Sequence, residues 1–508
     1  MATASPASRP DPDRHSPAAD RPRAPTATPP LPADGAGLRA QAALLASGAL
    51  SSVELVSSAL ARADVVQGSL NPFRVLLADQ ALEAAAEADR RRRQGASAPL
   101  LGVPVVVKDD TDVAGTPTAF GCGGTFPPAA TDAELVRRLR RAGAIVIAKT
   151  NTPELGQWPF TEGSAFGATR NPWDPSRTPG GSSGGTAAAV ASGVVAAGTG
   201  SDGAGSIRIP AAWCHLVGIK PPRGRVSTWP DVEAFEGLTT HGTLARTVED
   251  AAYLLDVVTG TVAGERHRLP PPAEPFHQAA LRPPGRLRIG LCLRPPFTLL
   301  PSALDRDVRS AVERLAGVLS GLGHRVQPVA VPWGLIGLSF LPRSLHALAE
   351  WERRVPDPGL LDPRTRANCR TGRRIPAAVV RMARRVEPHW ARRIGAVFST
   401  VDLLLVPTTA TGPLPIGATD DLSGWQTDRV IIGACPYAWP WNVLGWPGVN
   451  VPAGFDGDGL PLGAQLLGPP SAEGRLLSVA AQLELVEAWE QLRPPEQLLG
   501  SPAGGRRR

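Results

Sequence analysis

Between residues 186 and 197 the chain offers no side chain bulkier than valine, running Thr-Ala-Ala-Ala-Val-Ala-Ser-Gly-Val-Val-Ala-Ala. Alanine favours helix, yet a helix of such short side chains buries little apolar surface unless its backbone lies directly against a neighbour. A helix over 186–197, pressed closely into an interior, is therefore expected. Immediately before it stands Pro179-Gly180-Gly181-Ser182-Ser183-Gly184-Gly185. Such a loop can cradle a phosphate, present a nucleophile, or simply turn the chain.

Short apolar runs alternate with amphipathic stretches elsewhere. Regular structure is expected from about Gly37, with Ser51 and Glu54 forming a capping box that opens a helix through Ala63. A second helix is expected over 79–93 and a buried β-branched strand over 101–107, ending at Lys108-Asp109-Asp110. Helix over 132–142 and strand over 144–148 follow, leading to Lys149-Thr150-Asn151. Residues 287–293, 305–322 and 326–331 form a strand–helix–strand unit, and later strands are expected at 401–407 and 463–467. This alternation predicts an α/β fold whose sheet is covered on both faces. Residues 269–286, rich in Pro and Arg, are expected as a linker or surface loop; 341–397 is expected to be mostly helical, packing plainly or serving as a lid. Residues 1–37, rich in Ala, Pro, Asp and Arg without an apolar signal core, are expected as a disordered leader. The main domain is expected over 38–495 and a disordered tail over 496–508.

With 508 residues and 43% hydrophobic content the chain can bury a large core, and it has no run of 18 apolar residues to cross a membrane. Five scattered cysteines without a CxxC pair fit reduced thiols, hence a cytoplasmic setting, better than disulfides or a zinc site. The formal charge of +7, with arginine runs at 90–93 and 506–508, reads as a solvated helix end and a tail rather than a nucleic-acid surface. The basic residues are more telling. Three are lysines, Lys108, Lys149 and Lys220, and the other fifty are arginines. Arginine keeps its proton in proteins whereas a buried lysine can lose it, so each lysine is a candidate for work that arginine cannot do.

The glycine loop lacks the lysine of a phosphate-binding P-loop. Gly181-Ser182-Ser183-Gly184-Gly185 does match the G-x-S-x-G nucleophile elbow with Ser183 at its centre, and His215, His241, His324, His346 or His389 would then supply a base. A third possibility uses more of the chain. Twenty-four residues after Ser182, in Ser201-Asp202-Gly203-Ala204-Gly205-Ser206-Ile207-Arg208, consecutive N–H groups lead up to a serine. That pattern can form an oxyanion nest beside Ser206, and Lys108 at a buried strand end could be its base if desolvation keeps it neutral.

Taken in order, GVPVVVKDD (102–110), AKTNTPELG (148–156), SAFGATRNPWD (164–174), PGGSSGGTAAAVASG (179–193) and SDGAGSIRIPAAWCHLVGIKP (201–221) resemble the amidase signature family over roughly 40–490. Asn442, Gly445, Pro447 and the segment 459–466 continue the likeness. The resemblance implies one large mixed, twisted sheet between helical layers, and a Ser-Ser-Lys triad. Ser206 resembles the acyl-forming nucleophile, Ser182 the bridging serine, whose preceding peptide bond is cis in relatives, and Lys108 the base. It further implies an oxyanion hole from the N–H groups of Gly203, Ala204, Gly205 and Ser206, with Gly156 lining the substrate site. Relatives usually carry two glycines before the nucleophile, so Ala204 raises a question of turn geometry. Asp202, Arg208, Lys149 and Lys220 are expected to support the framework.

The implied reaction is hydrolysis of a carboxylic amide to a carboxylate and ammonia or an amine. It requires no metal and no organic cofactor. The expected partner is a small-molecule amide, without nucleic acid or membrane; a homodimer is an open expectation. Trp439, Trp441 and Trp446 are expected either as ordinary packing or as an aromatic wall for the substrate. Two other functions remain. One is the glutaminase subunit of a tRNA-dependent amidotransferase, although Thr152-Pro153-Glu154-Leu155 stands where such subunits tend to carry Met-Asp-Glu-Phe. The other is a non-catalytic protein on the same fold, against which the intact Lys108, Ser182 and Ser206 argue.

Overall fold

Eleven short strands form one mixed sheet in this computed structural model, which describes Met1 and residues 35–298, 300 and 302–499. In chain order they are β1 Phe73–Leu76, β2 Pro104–Lys108, β3 Ile145–Thr150, β4 Ala197–Asp202, β5 Val217–Lys220 and β6 Thr240–Ala245. Then come β7 Arg288–Leu291, β8 Arg325–Pro328, β9 Leu403–Pro407, β10 Gly448–Phe455 and β11 Pro461–Leu467. Their order across the sheet is β1-β3-β2-β4-β6-β5-β10-β11-β9-β7-β8. β2 runs parallel to both β3 and β4, and β7 parallel to β8 and β9; the other pairs are antiparallel.

The sheet is covered on both faces, as the alternation predicts. Along β2, Val105 and Val107 enter one hydrophobic cluster and Val106 another. Along β9, Leu403 and Leu405 join the first cluster while Leu404 and Val406 join a third. Successive strand side chains point to opposite faces, so a continuous apolar run marks a strand with two covered sides. The Ser51 capping box is present and opens a helix, Ser52–Leu70, that runs a further two turns past Ala63. The parallel β7–β8 pair joined by the helix Arg306–Gly321 matches the expected strand–helix–strand unit.

Three expectations need correction. The small-residue helix spans only Gly184–Ala191, because Gly193 adopts φ 74° and the Val194 N–H closes back on the Ala189 carbonyl. Ala197, the expected last residue of that helix, instead opens strand β4. Within 269–286, the expected linker, Phe276–Leu281 is a helix with Phe276, Ala279 and Ala280 buried. The Asp256 carboxylate anchors that helix by accepting from the Phe276 and His277 N–H groups at 2.6 and 3.0 Å. Glu496–Leu499, expected in the tail, forms a helical turn in which Leu499 is buried and its carbonyl accepts from Ser69 Oγ at 2.7 Å. Of the expected leader, residues 2–34 lie outside the described residues, as do 500–508 of the tail. Among the described residues no helix is long and apolar enough to cross a membrane.

Segment 341–397 is helical as expected, within Gly337–Glu352, Pro363–Arg373, Ala377–Arg385 and Glu387–Gly395. Leu348 and Trp351 pack with Phe120 and Leu155, so these helices cover the turn that contains Gly156.

Candidate active site

β2 and β4 are parallel neighbours, and their carboxyl ends deliver Lys108 and the segment that begins at Asp202. In α/β sheets this end of parallel strands is where ligands gather. The glycine loop reaches the same place because the helix behind it sits extraordinarily close to its neighbours. A Cβ on Gly185 would come within 2.5 Å of the Asn151 N and Pro72 O atoms, and one on Gly200 of β4 within 2.6 Å of Ser183 Oγ. The glycines flanking the small-residue run thus allow close contact, and all eight residues of Gly184–Ala191 are buried.

Lys108 is 1% exposed, and its Nζ donates to Ser182 Oγ and to Ser201 Oγ, each at 2.7 Å. Asp110 Oδ2 lies 3.2 Å from the same nitrogen and accepts a short hydrogen bond from Ser201 Oγ. Burial pushes the Lys108 ammonium below its ordinary pKa, more than Asp110 and Asp202 raise it. The Gly181–Ser182 peptide is cis, as the resemblance implies. Gly156, with φ 65°, faces this hydroxyl: a Cβ there would meet Ser182 Oγ at 3.4 Å. Ser183 differs from its neighbour. Its hydroxyl is fully buried and, among the described residues, bonds only the Ser201 backbone, donating to the carbonyl and accepting from the N–H. Among the described residues no histidine hydrogen-bonds a serine of either loop, so the nucleophile-elbow arrangement is not assembled around Ser183.

Ser206 sits in the turn after β4, and its carbonyl accepts from the Ser183 N–H at 3.1 Å, which ties the two loops together. No hydrogen bond joins its hydroxyl to Ser182 among the described residues; the direct contact in the expected triad is the one between Lys108 and Ser182. The turn itself is organised by Asp202. One carboxylate oxygen accepts from the Gly205 N–H at 2.8 Å, and the other from the Ile207 and Arg208 N–H groups at 3.2 and 3.4 Å. Arg208 grips the same carboxylate through Nε and Nη2, both at 3.0 Å, and extends to Gln465 and Asn442. Burial opposes ionisation of Asp202, but Arg208, Lys220 and Asn442 outweigh it and hold the carboxyl far below the usual range.

These contacts revise the expected oxyanion hole. The Gly205 N–H is committed to Asp202 and is not a free donor. The N–H groups of Gly203, Ala204 and Ser206 have no partner among the described residues, so three donors remain. The Ala204 question is also resolved. The unusual backbone geometry, φ 120°, falls on Gly205, where a Cβ would meet Ala438 Cβ at 2.6 Å; Ala204 has no positive φ.

Only one of the three lysines reaches the serines. Lys149 pairs with Asp109 at 3.0 Å and donates to the Pro117 carbonyl and Thr118 Oγ1. Lys220 donates to the Pro221 carbonyl, and burial together with the charge of Arg208 pushes its pKa well down. The tryptophans are core: Trp441 is fully buried, and Trp439 and Trp446 join it in one cluster with Trp333. Ala204 leans on that cluster, which therefore backs the turn before Ser206. Asp110 and Ser201 were missed as site residues, though both adjoin residues that were singled out. Asn442 and Gln465 are far off in sequence and only the fold brings them in. Among the described residues no group of three or more His, Cys, Asp or Glu is placed to hold a metal ion.

Known proteins resemble this chain over most of its length. The Amidase family profile matches residues 54–477. AmiA2 of Mycobacterium tuberculosis, which carries an amidase name, is 54% identical over 451 residues, 89% of this chain and 93% of that protein. The solved structure of a 6-aminohexanoate cyclic dimer hydrolase with its substrate superposes with a TM-score of 0.83 at 32% identity, covering 92% of this chain and 99% of the other. The native peptide amidase of Stenotrophomonas maltophilia gives 0.76 at 28% identity, covering 92% and 99%.

Proposed function

We propose that this chain, which belongs to the amidase signature family and is an amide-hydrolysing enzyme, works through a Ser206 acyl-enzyme served by Ser182 and Lys108. The observation that carries this mechanism is the 2.7 Å contact between Lys108 Nζ and Ser182 Oγ, buried at the edge of the Ser206 turn. With Lys108 neutral, its lone pair takes the Ser182 proton as Ser182 takes the Ser206 proton. Ser206 Oγ then bonds the amide carbonyl carbon. The carbonyl electron pair moves onto oxygen, where the N–H groups of Gly203, Ala204 and Ser206 receive it. One such donor is typically worth about 3–4 kcal/mol of barrier. On collapse the C–N bond breaks, and the proton held by Lys108 returns through Ser182 to the departing nitrogen. Water repeats the sequence on the ester: its proton enters the relay, its oxygen bonds the acyl carbon, and Ser206 leaves with the proton back. The carboxylate is released.

A hydroxyl both donates and accepts, so Ser182 can pass a proton in either direction without moving. The substrate class is a carboxylic amide of small-molecule size. Relatives are named for a cyclic amide dimer and for peptide amides, so both chemistries belong in the panel beside simple aliphatic and aryl amides. The test is covalent labelling by a fluorophosphonate together with ammonia or amine release from that panel. Ser206→Ala should abolish both, while Ser183→Ala should remain labelled. An adduct mapped to Ser183 by mass spectrometry would sink the mechanism.

A further inference from the structure

The Ser182–Lys108 pair has neighbours that the acyl-enzyme mechanism does not use. Lys108 Nζ has three close oxygen partners, Ser182 Oγ and Ser201 Oγ at 2.7 Å and Asp110 Oδ2 at 3.2 Å. An ammonium has three N–H donors and no acceptor, so the set matches a protonated lysine. Direction supports this. Ser201 donates its own hydrogen to Asp110, which leaves the Ser201 oxygen facing Lys108 as an acceptor. In this arrangement Lys108 donates to Ser182. The relay needs the opposite polarity, with Ser182 donating to a neutral amine. Switching between them requires one proton to leave Lys108.

We propose that Asp110 is a positioning residue for the relay: its carboxylate, directly and through Ser201, clamps the Lys108 ammonium and sets the pH at which the relay switches on. This rests on the Ser206–Ser182–Lys108 mechanism above. Asp110 is 4% exposed in its side chain, so its charge acts on Lys108 with little screening by solvent. Burial alone would favour the neutral acid, but Lys108, His241 and the Ser201 hydrogen bond keep Asp110 below its usual carboxylate pKa. The other ionisable groups acting on Lys108 are Asp202, which adds attraction, and His241, on β6 opposite Ser201, whose own pKa burial lowers.

Two effects follow for a carboxylate at this position. It stabilises the charged, inactive form of Lys108, so activity begins at a higher pH than it would beside a neutral side chain. It also makes the amine, once neutral, a stronger base toward Ser182, which raises the rate on the plateau. A residue that only filled space would change neither the midpoint of the acid limb nor its coupling to the plateau.

The experiment is the rate of Ser206 labelling by a fluorophosphonate against pH, for wild type and Asp110→Asn, with circular dichroism on each. Asp110→Asn should shift the acid limb to lower pH and lower the plateau. One pH unit below the wild-type midpoint it should retain at least about threefold more of its own plateau rate than wild type does. Ser201→Ala, which keeps the carboxylate but removes the bridge, should move the limb in the same direction by less. An unmoved limb in a folded Asp110→Asn overturns the proposal, as does a folded variant that labels at no pH. If Asp110→Asn does not fold, Asp110→Ser is read in the same way. If no neutral residue at 110 folds, the role is structural and the proposal is wrong. Labelling of Lys108→Ala at the wild-type rate, or an adduct away from Ser206, instead identifies failure of the underlying mechanism.

Discussion

Replacing Asp202 by asparagine preserves shape and removes one charge, and it should damage the protein far more than an isosteric change usually does. Both oxygens of this fully buried carboxylate are surrounded by donors: three backbone N–H groups from Gly205, Ile207 and Arg208, two guanidinium nitrogens of Arg208, and Asn442 Nδ2. An asparagine amide turns one acceptor into a donor, so in either orientation N–H groups face N–H groups. Arg208, itself fully buried, would lose the only anionic partner it has among the described residues while Lys220 stays nearby. Breaking a buried pair by removing one charge typically costs about 3–5 kcal/mol, and that is the expected loss of stability. The chain has 12 tryptophans, so chemical unfolding can be followed by their fluorescence. Activity should fall further than stability explains, because the Asp202 carboxylate sets the turn that aims the free N–H groups. Misplacing one such donor costs about 10²–10³-fold in kcat. Asp202→Asn combined with Arg208→Met should recover part of the stability, since no unpaired charge remains, but none of the activity. Were Asp202→Asn to lose less than about 1 kcal/mol, within the range of an ordinary substitution, and keep most of its turnover, the organising role given to this carboxylate would be refuted.

Lys108→Arg keeps the charge but cannot supply a neutral base, so kcat/KM should drop by at least about 10²-fold in a protein that circular dichroism shows to be folded. Loss of less than tenfold would contradict the relay. His215 is packed on the Phe455 ring at 4.6 Å and against Trp173, and burial pushes its pKa down to about 4, with a contact from the Trp489 backbone offsetting part. The unfolded chain, with a histidine pKa near 6.5, then binds the extra proton first. Stability from neutral His215 is present above that value and lost as pH falls toward about 4, a change of about 3 kcal/mol. Denaturant titrations of wild type and His215→Phe at several pH values should show that component only in the wild type.

The catalytic candidates were legible in the sequence because each lies in a short segment whose chemistry is local. A lysine at the end of a β-branched run, a paired-serine glycine loop and a glycine-rich turn before a serine can each be recognised without knowing where they meet. The small-residue run was legible too, but only as close packing, and where its helix stops was not. Ala-Ala-Gly-Thr-Gly-Ser at 196–201 favours neither helix nor strand clearly, and what makes β4 a strand is pairing with β2 and β6. Its glycines are explained by tertiary contact, since Val106 and Thr186 crowd Gly198 and Ser183 crowds Gly200. Local propensity carries no trace of that. The same holds for the donor count at the oxyanion turn. Four consecutive N–H groups look equivalent in the sequence, and only the Asp202 carboxylate, reaching Gly205, makes one of them different.

The lysine bias has a second physical reason beside the loss of a proton. Each of the three lysines is almost completely buried; Lys108 and Lys149 each hold Nζ among three oxygens at 2.7–3.2 Å, while among the described residues Lys220 has the Pro221 carbonyl at 3.0 Å. A compact ammonium on an unbranched stem fits such a cluster, while a planar guanidinium with five donors would need a wider, flatter set of acceptors. Two requirements can therefore keep a lysine in an arginine-rich chain: loss of a proton, or a small tetrahedral charge in a narrow polar hole. Lys149, held by Asp109, Pro117 and Thr118, meets the second. In the proposed mechanism Lys108 meets both, because the oxygens that enclose it include Ser182 Oγ, the hydroxyl of the relay.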